Sequence, residues 1–233
     1  MPATLSIGDK TIAPSDVIPL LDRYQLLSSL QRELIIDQAI ASVHCTADEI
    51  AQSYQHLAEA QRVDPERLKV KLCDRYQLSS DELDVIVTRS LRVEKFKRAT
   101  WETKLESRFL ERKGQLDQVI YSLIRTQDEL LASELYFRIE ANEQTFAELA
   151  LAYSEGLEAK MGGFVGPIAT GKLHPSLAQI LSVSQPGQLW FPQQIDGWFV
   201  ILRLEERISA QFDQSIQQQL LQELFEEWIT KQL

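Results

Sequence analysis

The hydrophobic repeat of this chain changes period near Lys113, and that change limits what each side of it can fold into. Before it, apolar residues recur at helical steps: Leu68, Leu72 and Tyr76, then Leu83, Val87 and Leu91. Such spacing lines one face of an α-helix. Beyond it, Val119, Ile120, Tyr121, Ser122, Leu123 and Ile124 make a short run rich in β-branched and aromatic residues, the pattern of a strand. A helical first part and a mixed second part follow.

Helix starts punctuate the first part. Thr46 with Glu49 and Ser79 with Glu82 have the spacing of capping boxes, and Asp64 precedes a proline whose missing N–H is harmless in a first turn. Pro14, Ser15 and Asp16 read as another start, with Ser or Asp taking the free N–H groups. Residues 26–43 carry Leu30, Leu34, Ile35, Ile36, Ala39, Ile40 and Val43 on nearly every side, which predicts a buried central helix. Residues 5–13 alternate apolar and polar around Gly8 and Asp9, a short hairpin.

At the end of the chain, Ile216, Leu220, Leu224 and Trp228 lie beside Leu221, Phe225 and Ile229 on one final helix. Burying one such side chain contributes roughly 1.5–3 kcal/mol, so this face must dock. The first helical part is the expected platform, which makes that part discontinuous; a homodimer partner is the alternative.

In the second part, Thr126 with Glu129 predicts a capping box and a helix to about Ala141, with Leu131, Leu135 and Ile139 facing the core. A helix over 146–154, an irregular glycine-rich stretch over 155–172 and a short helix over 175–183 follow. Strands over 188–192 and 198–204 flank an Asp196-Gly197 turn. Tight turns between late strands favour an antiparallel α+β sheet.

A net charge of -10 argues against nucleic acid or an anionic membrane surface as partner. No apolar run reaches the roughly 18 residues of a membrane span, and residues 1–10 lack a basic stretch followed by an apolar one. A cytoplasmic location is the expectation. Cys45 and Cys73, both in stretches that read as helical, are too few for a disulfide framework and too isolated for zinc. Free buried thiols, and no metal or other cofactor, are expected. His174 has no identifiable partner and reads as a surface residue, and Glu155 and Glu158 read as solvated loop carboxylates. Gly162-Gly163 lacks the strand–helix context of a phosphate loop.

The order of residues 146–154, then Gly162, Gly163 and Gly166, then Gly171 to Leu173, Gly187 to Trp190 and Gly197 to Leu202 resembles the parvulin family of peptidyl-prolyl isomerases. Residues 5–12, 30–36, 108–109 and 113–119, with Trp228-Ile229, are similar to the flanking regions of SurA- and PrsA-type foldases. The resemblance implies an α+β fold: a SurA-like all-helical domain (1–112, completed by 207–233) with an inserted parvulin-like domain (113–206), a four-stranded antiparallel sheet wrapped by short helices.

It also implies a site. Tyr121 stands where the family's first-strand histidine is expected, and Phe199 stands at the second histidine. Glu155 and Gly156 follow Tyr153-Ser154, where the family often has Cys or Asp. Gly163-Phe164-Val165-Gly166 matches the family's Gly-Asp-Leu-Gly, and Leu173 and Leu177 match its proline pocket. Candidate catalytic residues are Tyr121 and Ser154; candidate substrate-binding residues are Leu173, Leu177, Phe199, Phe164 and Trp190. Leu173, Leu177 and Phe199 read equally as plain core. The implied function is isomerisation of prolyl bonds in unfolded or proline-containing polypeptide clients, weakened by the replaced histidines. The alternative is a non-catalytic peptide-binding chaperone or export escort.

Overall fold

The computed structural model describes residues 5–7 and 10–233, with side chains from Ile12 onward. The elements run β1 (Leu5–Ile7), β2 (Lys10–Ile12), α1 (Pro14–Arg23), α2 (Leu27–Ala39), α3 (Ala47–Gln61), α4 (Pro65–Tyr76), α5 (Ser80–Val87), α6 (Arg89–Trp101) and α7 (Leu105–Leu116). Then come β3 (Gln118–Thr126), α8 (Glu129–Glu140), α9 (Phe146–Tyr153), β4 (Phe164–Ala169), α10 (Pro175–Val183), β5 (Leu189–Ile195), β6 (Trp198–Ile208) and α11 (Gln214–Gln232). They form two compact units: Met1–Leu105 with Gln217–Leu233, and Glu106–Ile216.

Among its described residues, the first unit has the antiparallel pair β1–β2 as its only strands and is otherwise built of helices and their connections. The expected Gly8-Asp9 turn lies outside the described residues. Both capping boxes form: Thr46 Oγ1 accepts from the Glu49 N–H while Glu49 accepts from the Thr46 N–H, and Ser79 and Glu82 do the same. Asp64 caps α4 through the Arg67 N–H. The start of α1 differs from expectation, because Ala13 is its N-cap and no side chain caps it; Pro14 at the first position supplies the preset φ instead. The greasy stretch over 26–43 is not buried all round. Ile36 and Ile40 are buried, Leu30, Ile35, Ala39 and Val43 are half-buried, and Leu34 is 52% exposed, so the helix packs by one side and leaves the other open. Cys45 sits in the connection after α2 rather than in a helix, and both thiols are free and half-buried.

The closing helix docks on α6 of the same chain. Leu220, Leu221, Phe225 and Ile229 are buried. Phe225 and Trp228 pack with Phe96 and Trp101, with ring centroids 5.4–6.4 Å apart. Arg32 holds Glu226 through two hydrogen bonds of 2.9 and 2.8 Å. The aromatic box supplies the area, and the two-pronged ion pair fixes the rotation of the helix.

The second unit is a four-stranded antiparallel sheet in the order β4-β3-β6-β5. Its centre is the β3–β6 ladder, with Leu123 opposite Leu202 and Ile124 opposite Ile201. Side chains alternate between faces along a strand. One face carries Val119, Tyr121, Leu123, Val200, Leu202 and Leu204 against Leu181 of α10. The other carries Ile124 and Ile201 against Leu135, Ile139, Phe146, Leu149 and Ala150 of α8 and α9.

Two local expectations fail here for identifiable reasons. Strand β4 forms inside the stretch read as irregular, because its glycines let the backbone come close. A Cβ on Gly163 would meet the Leu123 carbonyl and one on Gly166 the Val119 carbonyl, and both glycines have positive φ (80° and 121°). Thr126 does not cap α8 but completes β3; Asp128 caps the helix, accepting from the Leu130 and Leu131 N–H groups.

Candidate functional site

The Tyr121 face of the sheet ends in a half-buried apolar rim. Strand β3 places Tyr121 on this face and β6 places Trp198, Val200 and Leu202 there, while Val165 comes from β4 and Trp190 from β5. Helix α10 and the residue before it add Leu173, Leu177 and Ile180. At its start, His174 Nδ1 accepts from the Ser176 N–H, and at its end Arg207 donates to the carbonyls of Leu181, Ser182 and Ser184. The Trp190 indole N–H donates to Ser184 Oγ at 2.7 Å, which fixes the ring and satisfies its polar edge. His174 has a partner that sequence reasoning did not identify: Nε2 lies 3.1 Å from Asp196 in the β5–β6 turn.

Tyr121 itself is 4% exposed. Burial raises its pKa, and the charge of Glu158 raises it further, so the phenol stays protonated at neutral pH. Beside it stands a polar cluster. Ser154 Oγ accepts from the Arg125 N–H at 3.1 Å and donates to Glu158 Oε1 at 3.0 Å. Arg125 Nε lies 3.1 Å from the same Glu158 oxygen, an ion pair without hydrogen-bond alignment, and its guanidinium lies over the Trp198 ring at 5.4 Å. The Glu158 side chain is only 8% exposed, so it is not the solvated loop carboxylate expected. Glu155 remains exposed, yet it too is engaged. Thr126 Oγ1 and the Gln127 N–H donate to it, and these bonds hold its pKa below the usual carboxylate value.

Residues 112–206 match the family described as Rotamase, PPIC-type PPIASE domain. This part of the chain is a parvulin domain. Among curated relatives, the chaperone SurA of Alkalilimnicola ehrlichii is 34% identical over 127 residues, covering 47% of this chain and 29% of that one. SurA of Pseudomonas fluorescens Pf-5 is 36% identical over 104 residues, covering 43% of this chain and 24% of that one. The chain thus spans less than a third of the length of the curated relatives it matches. Among solved structures, the peptidylprolyl isomerase PrsA of Bacillus cereus superposes over 99% of this chain and 90% of that one, with a TM-score of 0.55 at 18% identity. The likeness to PrsA is one of fold.

Within the parvulin domain the structure brings Tyr121, Ser154, Leu173, Leu177 and Trp190 to one side of the sheet or its edge. It does not bring Phe199 or Phe164 there. Phe199 pairs with Thr126 and alternates onto the face of Ile201; Phe164 pairs with Ser122, one residue out of step with Tyr121 opposite Val165. Each lies one residue from a position that faces Tyr121. In a strand one residue is a whole face, and Trp198 and Val165 hold the positions on the Tyr121 side.

Arg125 and Trp198 are absent from the residues the sequence singles out, and Glu158 reads there only as a solvated loop carboxylate. The signal for Arg125 was legible, since it is the only charged residue in β3 and keeps the parity of Tyr121 and Leu123. No spacing rule points to Glu158, whose placement depends on the turn at residues 157–161. Among the described residues no group of three or more His, Cys, Asp or Glu could hold a metal ion.

Proposed function

We propose that the parvulin domain isomerises prolyl bonds in unfolded or proline-containing polypeptide clients, and that the helical residues 1–112 with 207–233 form the chaperone module that holds them. The observation that carries this reading is the half-buried apolar rim of Leu173, Leu177 and Trp198 beside a half-buried polar cluster, in a domain of the PPIC type.

Isomerisation needs no covalent attack. The barrier, about 18–20 kcal/mol, is lost amide resonance, and it falls when the twisted amide is held better than the planar one. Leu173, Leu177 and Trp198 clasp the pyrrolidine ring, and Trp190 braces them with its indole N–H already satisfied. Tyr121 forms the protonated floor. Ser154 acts by joining the β3 backbone to Glu158. Low turnover is consistent with a phenol buried this deeply where the family's histidine is expected.

A protease-coupled assay on a prolyl tetrapeptide tests the reading. Turnover is expected, reduced at least about tenfold by Leu173→Ala through the lost apolar contact, which is worth about 1.5–3 kcal/mol. The buried Tyr121 also supports a second reading, a non-catalytic peptide-docking module. No turnover, together with suppressed aggregation of an unfolded client and peptide-induced amide shifts at Leu173 and Leu177, decides for that one.

No helix among the described residues is long and apolar enough to cross a membrane. That does not place the chain in the cytoplasm, and the cytoplasmic expectation finds no support.

A further inference from the structure

A Cβ added at Gly156 would overlap both carboxylate oxygens of Glu158 and Arg125 Nε. These are its three nearest neighbours, all side-chain atoms. Gly156 has φ of -101°, a conformation open to any residue, so the backbone does not demand glycine. The Glu158 carboxylate and Arg125 Nε fill the space in which a side chain of residue 156 would stand.

That carboxylate is nearly buried, bound by Ser154 and paired with Arg125. An ionised carboxylate at such depth is held only by its partners. Removing it would leave Arg125, itself about one-third exposed over Trp198 at the rim, without the charge that orients it. The pair is made through Nε, which leaves the terminal amino groups of the guanidinium as donors.

We infer that Arg125 is a catalytic donor to the nitrogen of the prolyl amide, and that Glu158 is the positioning residue that aims it, doing from position 158 what a short acid at position 156 would do. This rests on the isomerase reading and adds its electrostatic half. As the prolyl amide twists, its nitrogen lone pair localises and the carbonyl ceases to share it. A guanidinium N–H fixed toward that nitrogen, in a site partly closed to water, meets an acceptor that exists only in the twisted geometry and so holds the twisted amide better than the planar one.

The test moves the carboxylate. Prolyl-peptide turnover is measured on the full chain for the wild type, Arg125→Ala, Glu158→Ala, Glu158→Gln, Gly156→Asp and the double variant Gly156→Asp/Glu158→Ala. Far-UV circular dichroism and peptide titration by NMR accompany each. Arg125→Ala should lower kcat by about 10- to 100-fold, at or below the range for loss of one preorganised donor. Glu158→Ala and Glu158→Gln should each lower kcat about tenfold with little change in KM; the second keeps the volume and so separates charge from packing. Gly156→Asp alone should lose activity through overlap with Glu158. The double variant, in which the Glu158 carboxylate no longer occupies the space at 156 and only the flexible end of Arg125 has to shift, should recover kcat to within a few-fold of the wild type.

A folded double variant that stays as slow as Glu158→Ala overturns the positioning role. Wild-type turnover that Arg125→Ala leaves intact overturns the inference while the isomerase reading stands. Absence of wild-type turnover at high enzyme concentration overturns both.

Discussion

At the scale of single residues, the site turns on parity within strands. Trp198 and Phe199 are neighbours of similar size, yet only Trp198 shares a face with Tyr121. Trp198→Ala is therefore expected to raise KM for a prolyl peptide about tenfold, roughly the loss of one well-packed apolar contact. Phe199→Ala should leave KM within about twofold and act on stability instead. Michaelis kinetics on the two variants checks this, and equal effects on KM would contradict the assignment of faces. Family position points to residue 199; the alternation that puts Trp198 on the Tyr121 face is readable from Val200 and Leu202, once those are taken as facing the same core as Tyr121. Glu158 could not be read in the same way. Whether a loop carboxylate is solvated or buried depends on what the chain brings beside it, and Arg125 and Ser154 arrive from positions 33 and 4 residues earlier.

At the scale of elements, local chemistry specified the helix starts well. Thr46, Asp64 and Ser79 cap as their spacing predicts, because a cap is a bond between a side chain and backbone groups two or three residues away. The exceptions are instructive: Thr126 and Asp128 both suit a cap, and β3 claims the threonine while Thr145 with Glu148 caps α9 without having been anticipated.

The carboxylates of the three boxes make a pH prediction. Glu49 is lowered first by the Lys95 hydrogen bond and then by the Thr46 N–H, and Glu82 and Glu148 are lowered first by the N–H groups of Ser79 and Thr145. A folded pKa below the ordinary 4.5 means that the contribution is complete above that pH and is lost as pH falls through the folded value. Thermal melts of Glu82→Gln against the parent from pH 6 to about pH 3 should converge toward the acid end; a constant gap across the series would rule out ionisation as the cause. For α10, Arg207→Ala removes the donor shared by three carbonyls, and chemical denaturation should show a loss of about 1.5–3 kcal/mol, the usual worth of hydrogen bonds to a charged group.

At the scale of the whole molecule, the helical unit is closed by residues far apart in the chain. Deleting α11 uncovers Phe96 and Trp101 and removes four buried apolar side chains, so the helical unit should lose its cooperative melting transition. Leu220→Ala is the milder probe, expected to lower stability by about 2–5 kcal/mol as a large-to-small change at a fully buried site. Calorimetry on both should spare the transition of residues 106–216, and simultaneous loss of both transitions would mean that the units fold as one.

What the sequence determined by itself was everything that short-range physics enforces: the change of period near Lys113, the capped helices, the broad apolar face of the last helix, and the ordered glycines that carry the family resemblance. Tertiary structure decided which strand face met α10, which glycines admitted β4, and which carboxylate was buried against Arg125. Those outcomes depend on pairings between residues distant in the chain, where a shift of one position exchanges the two faces of a sheet.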